Sequence, residues 1–178
     1  MTDNERLAEL LFPNISWTPQ QYEEQYPARQ LPEGARVTRF SPSPTGYLHI
    51  GGLFAAMTAR LTAKATSGVF FLRIEDTDKK REVEGGVTAI VTGLAAFGIT
   101  PDEGITGLGT ESGVYGPYQQ SKRREIYQCF AKELVRQGLA YPCFCTEAEL
   151  TALREQQEAQ AVNKATMANG PPAAISLL

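Results

Sequence analysis

The chain has 178 residues, 42% of them hydrophobic, with 17 basic and 20 acidic side chains and a net charge of −3. That length allows one domain, or one domain and part of another, and the apolar share is ordinary for a chain that builds a core. No apolar run approaches the roughly 20 residues of a membrane helix. The opening "MTDNERLAELLF" carries acids where a secretory leader has a basic stretch followed by an apolar one, so a cytoplasmic address is expected.

Residues 1–36 read as an extension: a helical pattern after a possible Thr2 or Asp3 cap, then the proline-broken "PNISWTPQQYEEQYPARQLPEG" with a short helix or two. "ARVTRFS" is a short strand. "SPSPTG" is a loop, because its prolines remove amide donors and Gly46 permits a turn. Leu48 to about Thr66 is helical, with Leu53, Met57 and Leu61 at spacing four. "SGVFFLRIED" is a turn and then an apolar run that suits a central parallel strand. The next helix buries Val87, Ile90, Val91, Leu94 and Phe97 and closes at Gly98.

Residues 99–118 read as glycine-rich loop. "SKRREIYQCFAKELVRQGLAY" is a helix with Ile126, Phe130, Leu134 and Val135 on one side and Gly138 as its stop. "PCFC" is a short strand, and Thr146 with Glu149 makes a capping box for a final helix. Beyond residue 161 the signals fade, and "NGPPAAISLL" shows no clear element. The order strand, helix, strand, helix predicts a right-handed parallel α/β unit.

Three cysteines, Cys129, Cys143 and Cys145, cannot all pair with one another, and reduced thiols fit the cytosol. The basic clusters "DKKR" (78–81) and "SKRR" (121–124) read as solvated helix ends.

In an open α/β sheet, ligands bind beyond the carboxyl ends of the strands, where the 41–47 loop is expected. It leads into a helix whose free amides attract anions. His49, the only histidine, falls in the first turn, where it can donate to a phosphate oxygen. Gly51 and Gly52 leave room for a ligand, unless they serve only helix packing. The pattern is neither Gly-x-Gly-x-x-Gly nor a P-loop. At the end of the second strand, "RIEDTD" crowds Glu75, Asp76 and Asp78. The two aspartates read as a solvated turn that caps the next helix, and Glu75, beside the buried strand, as functional.

Together "RFSPSPTGYLHIGG", "FFLRIEDTD" and "GPYQQSKRREIY" resemble the class I aminoacyl-tRNA synthetases, and within them the bacterial glutamyl-tRNA synthetases, over about residues 37–160. The N-terminal extension is similar to that of clostridial-type members. The resemblance implies an α/β fold: the first half of a Rossmann-like nucleotide-binding parallel sheet over 37–118, followed from 119 to 178 by the start of an inserted connective, acceptor-binding region. It implies that Arg39, Ser41, Ser43 and Glu75 hold L-glutamate, that Thr45, Gly46, His49, Gly51 and Gly52 meet ATP, and that His49 is catalytic. The fourth position of the His-Ile-Gly-His signature is Gly52 here, a variation known among glutamyl enzymes.

The implied activity is that of a glutamate–tRNA ligase, with ATP, L-glutamate and tRNA(Glu) as partners, Mg²⁺ as a helper and no membrane. "PSPTG" and "EDTD" separate it from glutaminyl enzymes, which resemble "PEPNG" and Asp-Asp-Thr-Asn. No Cys, His or Tyr follows Cys145, so zinc is not expected and Cys143 and Cys145 read as thiols packed in a short strand. No Lys-Met-Ser-Lys-Ser-like segment occurs in the 178 residues. The expectation is therefore a shortened synthetase, inactive alone. A non-catalytic glutamate- or nucleotide-binding module, or an interaction protein that keeps only the fold, is the alternative.

Overall fold

The computed structural model describes residues 1–159 and 173–175. The chain divides into two compact units, Gln20–Ile126 and a second made of Met1–Pro19 with Tyr127–Leu178.

The Gln20–Ile126 unit is built on a four-stranded sheet of β1 (Val37–Phe40), β2 (Val69–Leu72), β3 (Glu103–Gly107) and β4 (Thr110–Ser112), in that order. The first three strands are parallel, with Val37 beside Val69, Phe40 beside Leu72 and Phe71 beside Glu103. The expected strand–helix–strand–helix order is present, with β2 at the centre of the parallel set. Side chains alternate along a strand. Phe70, Leu72 and Ile74 are fully buried and pack with Ile90, Leu94 and Ala56 from the two helices that follow β1 and β2. Each large apolar side chain buried in this way contributes about 1.5–3 kcal/mol.

Helix α3 (Ile50–Ala65) starts two residues later than the sequence pattern predicts. Ala56 and Ala63 face the core with Leu53 and Met57 beside them, but Leu61 is 55% exposed. A row at spacing four drifts by about 40° per step on a 3.6-residue helix, so by Leu61 it has left the sheet. Helix α4 (Gly86–Ala96) buries Ile90 and Leu94 as expected. Phe97 does not join that stripe: it is the C-cap, outside the helix, and 62% exposed. Gly98, at φ +66°, donates to Ala95 O while Ile99 N donates to Leu94 O, which closes the helix.

The stretch read as glycine-rich loop contains the β3–β4 hairpin. Gly104, at φ +119°, is in the strand because a Cβ there would lie 2.1 Å from Leu72 O. Helix α2 (Pro19–Gln25) precedes a strap over 26–36, where Arg29 grips Glu103 through bonds of 2.5 and 2.6 Å and lies 3.7 Å from the centre of the Tyr115 ring. The Arg29 hydrogen bond draws the Glu103 carboxyl below its usual range. Burial, and donation to Glu103 at 2.6 Å, push the Tyr118 phenol up to about 12.

In the second unit, α1 (Asp3–Leu11) starts at a Thr2–Glu5 capping box. Ala8 and Phe12 pack with Val135 of α5 (Arg124–Arg136) and with Ala140. The Lys132 ammonium donates to the Phe12 and Ile15 carbonyls beyond the end of α1, at 3.3 and 2.9 Å, and to Glu9 at 2.8 Å. Of the residues the sequence places on one side of α5, Phe130 and Leu134 are 41% and 42% exposed; Cys129 and Val135 are the helix's buried residues. The helix stops at Gly138, at φ +71°, as predicted.

Strand β5 (Ala140–Pro142) pairs in parallel with β6 (Ala173–Ile175), an element the sequence pattern did not suggest. Cys143 and Cys145 follow β5 rather than packing inside it, and Cys145 is exposed. The Thr146–Glu149 box caps α6 (Glu147–Ala159) as expected. The rest of the final stretch lies outside the described residues. Among the described residues no helix is long and apolar enough to cross a membrane.

Candidate functional site

The 41–49 loop carries the chain from the carboxyl end of β1 to the amino end of α3. Its shape is set by the backbone. Pro44 is fully buried, and its carbonyl accepts from Val83 N at 2.8 Å. The amino end of α4 comes so close that a Cβ on Gly86 would sit 2.9 Å from Pro44 O. Glycine at 86 is thus what lets the helix support the loop.

His49 is the N-cap of α3, one step before the first turn in which the sequence placed it. Its Nδ1 accepts from Gly51 N at 3.2 Å. A neutral imidazole that accepts at Nδ1 carries its proton on Nε2, so the exposed ring offers a donor outward beside the remaining free amides of the helix. A Cβ on Gly51 would lie 3.0 and 3.1 Å from the His49 ring, and one on Gly52 would lie 3.0 Å from Leu48. The first glycine clears space for the histidine to fold back onto the helix end, a local reason for a residue that the sequence suggested was left out for a ligand.

Around this turn lies an open pocket of about 300 Å³. Ser43, Thr45, Gly46, His49 and Gly52 line it, with Phe40, Pro42, Leu48 and Ile90 as its apolar wall. Five of the sequence-named residues are therefore brought together. Gly51 and Ser41 do not line it.

Arg39 and Glu75 meet on the exposed face of the sheet, at the carboxyl ends of β1 and β2. Arg39 Nη1 stands 3.8 Å from Glu75 Oε1, an ion pair longer than a hydrogen bond. Arg73, which the sequence reading passed over, makes the closer contact, Nη2 to Oε1 at 3.2 Å. Its signal was the period-two alternation Phe71, Arg73, Glu75, which puts all three on one face. The two groups of residues adjoin: Glu75 N donates at 3.0 Å to the carbonyl of Pro42, a wall residue of the pocket.

Asp76 is neither a solvated turn residue nor a helix cap, as the sequence reading had it. It is 1% exposed. It accepts from Ser121 Oγ at 2.6 Å, Gln119 Nε2 at 2.8 Å, Ser121 N at 2.9 Å and Lys79 Nζ at 3.1 Å. Burial pushes its carboxyl up, but the Ser121, Gln119 and Lys79 bonds together outweigh burial and hold it down at about 2. Asp78 does sit in an exposed turn, where Arg81 donates to it at 2.6 Å.

The "SKRR" cluster is not wholly solvated. Residues Gln120–Arg123 form a 3-10 turn, and Arg123 is half-buried with Nη1 donating to Pro117 O at 2.8 Å.

A parallel strand end, a capped helix and a loop with two prolines surround this open pocket, and comparison with known proteins gives the chain a family. The model of the family described as tRNA synthetases class I (E and Q), catalytic domain, matches residues 36–171. The chain belongs to that family.

The relatives narrow the class further. A glutamate–tRNA ligase of Clostridium perfringens is 55% identical over 156 residues, which cover 88% of this chain and 29% of the relative. One of Acetivibrio thermocellus is 52% identical over 162 residues, 90% of this chain and 30% of the relative. The crystal structure of a glutamate tRNA ligase from Elizabethkingia meningosepticum in complex with its amino acid superposes with a TM-score of 0.61 at 43% identity, over 72% of this chain and 25% of that one. The chain thus spans less than a third of the length of these relatives.

Proposed function

We propose that this chain carries the ATP- and glutamate-facing part of a glutamate–tRNA ligase and works in the cytoplasm. The observation that bears most weight is the junction at Pro42, where the His49 pocket and the Arg39–Glu75 pair share one stretch of backbone.

The α-carboxylate of L-glutamate would attack the α-phosphate of ATP, giving glutamyl-adenylate and pyrophosphate, and the glutamyl group would pass to the 3′ end of tRNA(Glu). No side chain need act as a nucleophile. The Nε2–H of His49 and the first amides of α3 would stabilise charge on the phosphates, the kind of preorganised donor set that acts where charge develops. Thr45, Gly46 and Gly52 would border the nucleotide, and Gly51 would serve it by leaving the His49 ring its place.

Glu75 would take the substrate ammonium. It can do so without losing Arg73, because its looser partner is Arg39 at 3.8 Å. Arg39, released, would turn its guanidinium to a substrate carboxylate, with Ser41 and Ser43 as neutral donors.

Mg²⁺ would take its ligands mainly from the ATP phosphates and water. No carboxylate lines the pocket, and no group of three potential metal-ligating side chains occurs among the described residues. No step above depends on it. The lysine-rich signature loop is absent from the sequence, so the chain by itself is expected to bind and not to turn over.

Calorimetric titration tests this reading. ATP binding that His49→Ala weakens, and glutamate binding that Arg39→Ala abolishes, are the expected results. The absence of heat with either ligand would sink the proposal in favour of a protein that keeps only the fold. ATP–pyrophosphate exchange by the chain alone is expected to be nil, and robust exchange would show the inactivity to be wrong.

A further inference from the structure

We propose that Asp76 is a positioning residue for the glutamate end of this site, an inference that rests on the functional reading above for its ligand but not for its geometry. The last residues of β2 run on past the sheet between two supports. On one side Glu75 N donates to Pro42 O at 3.0 Å. On the other, Ile74 N donates to Tyr118 O and Gln120 N donates to Ile74 O, both at 2.9 Å, a bridge that joins the strand end to the 118–121 segment. The carboxylate of Asp76 pins that segment, with Ser121 held through both its amide and its hydroxyl and Gln119 through its side-chain amide.

Asp76 follows Glu75 directly, and successive side chains of an extended chain point to opposite faces. Fixing Asp76 on the buried side therefore fixes Glu75 on the open side, toward Arg73 and Arg39. A carboxylate does this where an amide would not: it is acceptor-only, and every one of its contacts is a donor. Lys79 adds charge from the solvent side and is itself held by Glu82 at 2.9 Å. The group acts through Glu75 and touches no reacting atom.

Amide hydrogen exchange by NMR on the whole chain, combined with ligand titration, separates positioning from a general contribution to folding. In Asp76→Asn the amides of Ile74, Glu75 and Gln120 are expected to exchange about tenfold faster, while those of β1 and α3 keep their rates. The dissociation constant for L-glutamate is expected to rise about tenfold, the loss of one charge-assisted contact, with that for ATP unchanged. Uniform acceleration across the sheet, unchanged local exchange, or equal weakening of both ligands would each overturn the proposal.

If the unsubstituted chain binds no glutamate, the functional reading falls, and positioning is judged on exchange alone. Should Asp76→Asn fail to fold, Ser121→Ala removes only the 2.6 Å hydroxyl bond. It is then expected to speed the same three amides about threefold, and rates equal to the parent's would refute the role.

Discussion

At the 41–49 loop the chain is held by backbone geometry, whereas at the end of β2 it is held by charged side chains. The loop rests on a buried proline, on the Pro44 carbonyl that accepts from Val83, and on a glycine that lets α4 come close; its one capping side chain, His49, is exposed. The β2 end depends on Asp76, Arg73, Glu75 and Arg39, of which only Asp76 is fully buried. On the proposed reading, phosphates would meet amides fixed in place and a ring donor held at the helix end. On the same reading, an ammonium would meet Glu75 kept in place by Arg73, and a carboxylate would meet an Arg39 that turns from its looser contact. The difference implies that substitutions of Asp76 register in stability as well as in glutamate binding, and those at the loop mainly in ligand contact.

The sharpest way to break that contrast is Asp76→Ala. It leaves the Ser121 hydroxyl and amide and the Gln119 amide without their buried acceptor, although Ser121 itself is exposed and Gln119 half-buried. Loss of hydrogen bonds to a buried charged group costs about 1.5–3 kcal/mol. The melting temperature is expected to fall by several degrees or folding to fail, while His49→Ala lowers it by no more than about 2–4 °C, the effect of about 1 kcal/mol. Equal melting points for the two variants would erase the distinction.

Acid gives a milder probe of the same carboxylate. Its pKa is depressed in the fold, from 3.8 to about 2, so its stabilisation is fully present above 3.8 and is lost as the pH falls through about 2. The shift corresponds to about 2 kcal/mol at neutral pH. Urea unfolding of the parent and of Asp76→Asn should therefore differ most above pH 4 and converge toward pH 2. A gap that stays constant across that range would mean that Asp76 does not titrate as its bonds require.

The sequence carried much of this fold and less of this chemistry. The β1–α3–β2–α4 order was legible because prolines, a helix pattern and an apolar run follow one another without overlap. The β3–β4 hairpin was not, because Gly104 and Gly107 look like loop residues until β2 is beside them; the close approach of Leu72 O is what demands glycine at 104. The pocket residues Ser43, Thr45, Gly46, His49 and Gly52 lie within ten positions of one another and could be read as a unit. Asp76 was misread because what buries it lies at Gln119 and Ser121, over forty residues along the chain. Phe97 does not join the buried stripe expected for it, and Leu61 leaves the sheet, because spacing alone says neither where the helix ends nor where a helix row drifts off the sheet.

The smallest expected effect tests the loop half of the contrast most finely. In Gly51→Ala the added methyl lies 3.0–3.1 Å from the His49 ring, tighter than ordinary van der Waals contact, so the ring must give by a few tenths of an ångström. Alanine favours a helix over glycine by up to about 1 kcal/mol, and loss of the imidazole cap costs about the same. The two offset, and thermal stability is expected to stay within about 0.5 kcal/mol of the parent on that balance. The ligand signal should not stay level. With the ring pushed from the helix end, its bond from Gly51 N is lost, and ATP should bind about as weakly as it does to His49→Ala. A Gly51→Ala chain that matches the parent in ATP affinity would show that the glycine serves the helix alone and that His49 is not held for the phosphates.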